Sequence, residues 1–130
     1  MSGVPPLPIT ASELVVAIVD DDPGVRGSVD SLLRSVGWIG MPFADADALL
    51  TCGEEARIAC IITDLHMPGM SGLELLADMT RRGWTQPVLM MTAFPTDLAR
   101  DKALANGAHA FLTKPIDPDA LLDAVERAVA

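Results

Sequence analysis

"LVVAIVDDDPGVR", residues 14–26, decides the fold. An unbroken apolar run, rich in β-branched residues, stops abruptly at three adjacent carboxylates. A run that is apolar at every position has no solvent face. It therefore predicts a strand covered on both sides, as in a parallel sheet. Asp22–Pro23 then reads as a helix N-cap with proline at the first helical position. Val25, Val29, Leu32, Leu33 and Val36 follow at helical spacing, and Gly37 is a helix stop. Asp22 thus has a backbone task. Asp20 and Asp21 do not, and like charges side by side give a folding chain nothing.

The same unit recurs along the chain. "WIGMPF" (38–43) is a weaker strand, pushed toward a sheet edge by Pro42, and "ADADALLTC" (44–52) is a short helix. "IACIIT" (58–63) is a second buried strand. A loop, "DLHMPGMSG" (64–72), and a helix, "LELLADMTRR" (73–82), come after it. "PVLMMT" (87–92) is a third buried strand, and a helix over 96–107 ends at Asn-Gly. "AHAFLT", ending at 113 and including His109, is strand-like, with His109 read as structural. A second Asp-Pro cap opens a helix over 117–130. Five strand–helix units predict an open, doubly wound α/β fold with a five-stranded parallel sheet of strand order 2-1-3-4-5.

Composition bounds the function. The 130 residues are half hydrophobic and 21% charged, which suits one globular domain. A net charge of −9 argues against direct nucleic-acid binding and against anionic membranes. No apolar run approaches the ~20 residues of a bilayer span. "MSGVPPLPITAS" lacks the basic and apolar regions of a secretory signal, so residues 1–13 are expected to be a flexible Pro-rich leader to a domain over 14–130. Cys52 and Cys60 make no metal-binding or CxxC pattern, and Cys60 lies in an apolar run as a buried thiol. A cytoplasmic location fits these features.

The predicted topology gives the acids a purpose. Ligands of open α/β sheets bind beyond the carboxyl ends of the strands, where the winding reverses. Asp20 and Asp21 end the first strand, and Asp64 ends the third. Three carboxylates that converge must be protonated, separated or neutralised by a cation, and hard oxygen ligands suit Mg²⁺ or Mn²⁺. Thr92 ends the fourth strand and Lys114 the fifth. Singly, a strand-end acid is commonly a cap, a threonine structural and a lysine solvated. Together they describe a phosphoryl site, with Asp64 as nucleophile, Lys114 as point charge and Thr92 as hydrogen-bond donor.

"IVDDDPGVR", "IITDLHMPGMSGLELL", "PVLMMTA" and "GAHAFLTKPI" stand in an order and spacing that resembles the receiver domain of bacterial two-component response regulators, the CheY-like fold. The likeness runs from about Leu14 to the end and is closest in tone to FixJ-like receivers that precede a LuxR-type helix-turn-helix. It implies that Asp64 accepts a phosphoryl group from a histidine kinase, a phosphotransfer protein or a small phosphodonor. It also implies that Asp20, Asp21, Asp64 and the backbone carbonyl of His66 hold Mg²⁺. Thr92 and Lys114 would contact the phosphoryl group, and the Lys114–Pro115 bond would be cis. Phe111 occupies an aromatic switch position that is often tyrosine; without a hydroxyl, it must act through packing with Thr92. His66 and Phe94 flank the path of hydrolytic water. Phe94 is bulky, offers that water no hydrogen bond and is expected to slow loss of the phosphoryl group.

The output surface implied by the resemblance lies within residues 96–130, as a partner or homodimer face. Leu98, Leu121 and Val129 could belong to that face or to the core. The chain ends with the last helix, as expected of either a stand-alone receiver or a piece of a longer regulator. Two rival readings carry different consequences. A phosphorylation-independent interaction module would not need all five site residues. A haloacid-dehalogenase-like phosphatase would use Asp20 and Asp22, leaving Asp64 unexplained. The phosphoacceptor is not expected to be a turnover enzyme.

Overall fold

A computed structural model describes residues 14–130; the expected leader, 1–13, lies outside the described residues. Its elements alternate as the apolar runs require: β1 (Val15–Val19), α1 (Pro23–Ser35), β2 (Ile39–Phe43), α2 (Ala46–Leu50), β3 (Cys60–Asp64), α3 (Gly72–Arg81), β4 (Val88–Thr92), α4 (Asp97–Ala105), β5 (Ala110–Thr113) and α5 (Pro118–Val129). A 3₁₀ turn, Glu55–Arg57, precedes β3. The strands form one parallel sheet in the order β2-β1-β3-β4-β5. Pro42 sits on the edge strand β2, opposite Ile18, where a missing N–H leaves no gap between strands.

The continuous apolar strands are explained by two separate cores. Ala17, Val19, Ile61 and Met90 face α2 and α3, packing with Leu49, Leu75 and Met79. Their neighbours Val16, Ile18, Ile62, Leu89 and Met91 point the other way and meet Val29 and Leu33 of α1 and Leu121 and Val125 of α5. Side chains alternate across a strand, so both faces need apolar cover. Burying each of these large side chains contributes about 1.5–3 kcal/mol.

Local chemistry sets the element ends. Asp22 caps α1 through Gly24 N–H at 2.8 Å, and Asp117 caps α5 through Ala120 N–H at 2.9 Å. Ser71 and Glu74 close a reciprocal capping box at the start of α3. Helix α3 therefore opens at Gly72, one residue inside the expected loop. A side chain there has no room: a Cβ on Gly72 would lie 2.5 Å from the Asp64 carbonyl and 2.6 Å from Met90 Sδ.

Other details differ from the sequence reading. Val36 is the exposed C-cap of α1, beyond the helical face that reaches the core. α2 is confined to five residues. α4 is shorter than 96–107, because Thr96 caps it and Asn106 ends it. His109 precedes β5 instead of lying within it. Its backbone N–H donates to Val88 O at 2.8 Å, while its side chain is exposed. Leu121 is core, whereas Leu98 and Val129 are exposed. Cys52 and Cys60 are free, and burial pushes the Cys60 thiol up to about 12.

Candidate functional site

The carboxyl ends of β1, β3, β4 and β5 carry the polar residues, as the winding of the sheet requires. Asp20 directly follows β1, and its N–H donates to Phe43 O at 3.2 Å, an extension of the sheet ladder. Asp64 is the last residue of β3 and stands opposite Met91 in register. Thr92, the next residue of β4, accepts the Lys114 N–H on its carbonyl at 2.8 Å. Four chain segments are thus tied together by backbone hydrogen bonds before any side chain acts.

One oxygen each of Asp20, Asp21 and Asp64 lies within 4.8 Å of the others. Asp20 is fully buried, Asp64 is nearly so, and Asp21 is exposed at the mouth. Lys114 Nζ lies 2.7 Å from Asp20 Oδ2 and 3.4 Å from Asp64 Oδ1. The second oxygen of Asp20, Oδ1, accepts the Asp22 N–H at 2.9 Å. Burial and then the Asp20 charge raise the Asp64 carboxyl above the usual carboxylate range, against the pull of Lys114. Burial works against the charge on Lys114, but the hydrogen bond and field of Asp20, with Asp64, raise its ammonium above the ordinary lysine value.

The Lys114 ammonium thus pairs with two of the three clustered carboxylates, Asp20 and Asp64, and Asp21 stands beside them without an ion pair among the described residues. The donor set fits a hard divalent cation: all ligands are oxygens, two on one loop and one across the crevice. The His66 N–H points at Asp64 Oδ1 at 3.4 Å.

The flanking residues separate into two groups. Thr92 is buried, and its Oγ1 accepts the Phe94 N–H at 3.0 Å. Phe111, half-buried on β5, pairs in register with Met90 and lines a hollow of 430 Å³ with Pro95, Thr96 and Arg100. His66 and Phe94 meet edge to face, ring centres 6.1 Å apart at 70°. Phe94 is 72% exposed, so it is not held by packing on the loop before Pro95. Asp22 Oδ1 caps α1, and Asp22 is exposed and lies outside the Asp20–Asp21–Asp64 cluster, which counts against the phosphatase alternative.

Sequence reasoning missed Arg26. Its guanidinium donates to the Asp20 carbonyl at 2.6 Å from the first turns of α1. The only signal was an arginine six positions after a strand-end acid, which is too common to single out.

The sequence pattern of the response regulator receiver domain matches residues 16–126. The chain belongs to the response regulator receiver family. This receiver domain is 40% identical over 112 residues to the transcriptional regulatory protein FixJ of Azorhizobium caulinodans, covering 86% of this chain and 53% of that protein. It is 34% identical over 114 residues to FixJ of Bradyrhizobium diazoefficiens, covering 88% of this chain and 56% of that protein. The crystal structure of FixJ-N superposes with a TM-score of 0.80 at 30% identity, covering 89% of this chain and 93% of that one. The response regulator StyR gives 0.80 at 36% identity, covering 90% and 59%. The chain thus spans about half the length of the curated relatives named here. Its two-component, FixJ-like character follows from these matches, and the cis Lys114–Pro115 bond expected of the family is present.

Proposed function

We propose that this receiver accepts a phosphoryl group on Asp64 and so carries a two-component signal. The observation that carries the reading is the clustering of Asp20, Asp21 and Asp64 within 4.8 Å beside Lys114. One Asp64 oxygen attacks phosphorus. As the new P–O bond forms, the bond from phosphorus to a donor imidazole nitrogen, or to the carboxyl oxygen of acetyl phosphate, breaks. The leaving group keeps its electron pair. Lys114 neutralises oxygens of the incoming group, and the Thr92 hydroxyl proton is free to donate while its oxygen holds Phe94 N–H. Asp20, Asp21, Asp64 and the His66 carbonyl would hold Mg²⁺ or Mn²⁺, which when bound supplies positive charge to the phosphoryl oxygens. Water later attacks phosphorus, the P–O bond to Asp64 breaks, inorganic phosphate departs and the carboxylate returns, so the domain is an acceptor with a lifetime and not a turnover enzyme.

The donor is a histidine kinase or phosphotransfer protein. A groove of about 610 Å³, lined by Val25, Leu32, Pro115 and Ile116, opens beside Lys114 and suits an apolar ridge of a phosphohistidine-bearing partner. Phe111 switches by packing, and the surface over 96–130 carries output to a partner, a second copy or an attached output domain. The exposed Leu98 supports that placement. His66 and Phe94 tune the phosphoryl lifetime from the mouth of the site. Among the described residues no helix is long and apolar enough to cross a membrane. The reading places the domain, over 14–130, in the cytoplasm, and the net charge of −9 opposes direct contact with nucleic acid or an anionic membrane.

The test is intact mass after acetyl phosphate and Mg²⁺. One phosphoryl adduct is expected on the wild type and none on Asp64→Asn or in EDTA. A folded wild type that gains no adduct, or an adduct that forms equally in EDTA, would reject the reading.

A further inference from the structure

Asp20 is the most constrained residue of the site. It is fully buried, and each of its three oxygens has a partner: Oδ1 the Asp22 N–H, Oδ2 the Lys114 ammonium, and the backbone carbonyl the Arg26 guanidinium at 2.6 Å. A buried carbonyl left without a donor is costly, and at this point β1 has ended. Arg26 reaches back from α1, where its own N–H closes onto Asp22 O at 3.1 Å. The arginine therefore brackets the three acids 20–22 from both the helix and the strand end.

We infer that Arg26 is a positioning residue for the divalent cation: by clamping the Asp20 carbonyl it fixes the β1–α1 turn that presents the Asp20 and Asp21 carboxylates toward Asp64. The inference rests on the metal part of the proposed function and deepens it. Arg26 touches neither the cation nor the phosphoryl group. It acts as outer partners of metal ligands do, by orienting them, and losing such a partner typically costs about 10–100-fold in metal affinity.

Charge and position act in opposite directions here, which makes the inference testable. A guanidinium beside three acids repels an incoming cation, so on charge alone its removal would tighten Mg²⁺ binding. A clamp predicts the reverse. Mg²⁺ is titrated into ¹⁵N-labelled wild type, Arg26→Met and Arg26→Lys while the amide shifts of Asp21 and His66 are followed; no phosphodonor is present. The expected result is Mg²⁺ affinity about tenfold or more weaker in Arg26→Met, with most of it regained in Arg26→Lys, which keeps a donor of similar reach. Tighter binding in Arg26→Met would overturn the inference in favour of charge alone. Unchanged affinity would overturn it in favour of a purely structural hydrogen bond. If Arg26→Met does not fold, Arg26→Gln decides the matter, since its neutral amide sits on a shorter stem: affinity equal to or tighter than wild type would count against a clamp, and weaker affinity regained in Arg26→Lys would support it. A wild type with no saturable Mg²⁺ response would instead bring down the metal reading itself, whatever the variants do.

Discussion

Lys114→Met removes the ammonium while keeping a long, flexible side chain. In the folded protein that ammonium sits 2.7 Å from Asp20 Oδ2 and 3.4 Å from Asp64 Oδ1. At an effective dielectric of about 20, these two attractions amount to roughly 6 and 5 kcal/mol before any cost of desolvation. Drying the three groups offsets much of that. Deleting one partner of a buried pair typically costs about 3–5 kcal/mol. The Lys114 side chain is 16% exposed, so water screens part of the effect and the lower figure, about 3 kcal/mol, applies. Besides the exposed Asp21, the variant retains the buried Asp20 and Asp64, no more than 4.8 Å apart, with no cation between them. Their repulsion, about 3–4 kcal/mol at the same dielectric, raises the pair's affinity for a proton. An acid whose folded pKa is raised weakens the fold as pH rises through that value, and the penalty disappears on acidification. Urea unfolding, followed by Trp38 and Trp84 fluorescence, provides the assay. In EDTA the loss is expected to be about 3 kcal/mol near neutral pH, smaller near about pH 5, and partly recovered in millimolar Mg²⁺. A loss below about 1 kcal/mol, or one independent of both pH and Mg²⁺, would show that Lys114 is not the counter-charge of the site.

Other consequences can be checked separately. Asp64→Asn should be more stable than wild type in EDTA at neutral pH. The Asp64 carboxyl is raised in the fold, so its ionisation weakens the fold as pH rises above 3.8; the two urea curves should converge at low pH. Gly72→Ala places a methyl 2.5 Å from the Asp64 carbonyl and 2.6 Å from Met90 Sδ, which should cost about 1–3 kcal/mol in urea unfolding and slow phosphorylation by acetyl phosphate. Phe94→Ala and Phe94→Glu should shorten the phosphoryl lifetime by several fold, read as decay of the mass adduct in Mg²⁺ once acetyl phosphate has been removed; an unchanged rate would remove Phe94 from any part in hydrolysis.

Much of the fold was legible because β1 is apolar throughout and β3 and β4 are apolar up to their carboxyl ends, a pattern that fits a strand covered on both faces. The order of the strands followed from winding rules, and the Asp-Pro caps at 22–23 and 117–118 marked two helix starts. Periodicity failed where apolar residues are sparse. α4 buries only Ala103, so nothing in its spacing revealed that Leu98 faces solvent. Val36 fell at helical spacing but past the end of the core-facing turn. The convergence of Asp20, Asp21, Asp64 and Lys114 was legible because each ends or follows a strand. Arg26 was not, since its task depends on a carbonyl six residues away in sequence and on the turn between. The confinement of Gly72 was hidden for the same reason: the atoms that exclude a side chain belong to β3 and β4.

The central claim is that, of three clustered carboxylates, Asp64 takes the phosphoryl group. Borohydride reduces an acyl phosphate of aspartate to homoserine, which peptide mass spectrometry locates. After acetyl phosphate and Mg²⁺, the account predicts homoserine at position 64 and aspartate still at 20 and 21. Homoserine at 20 or 21, or at none of the three in a folded sample, would contradict it.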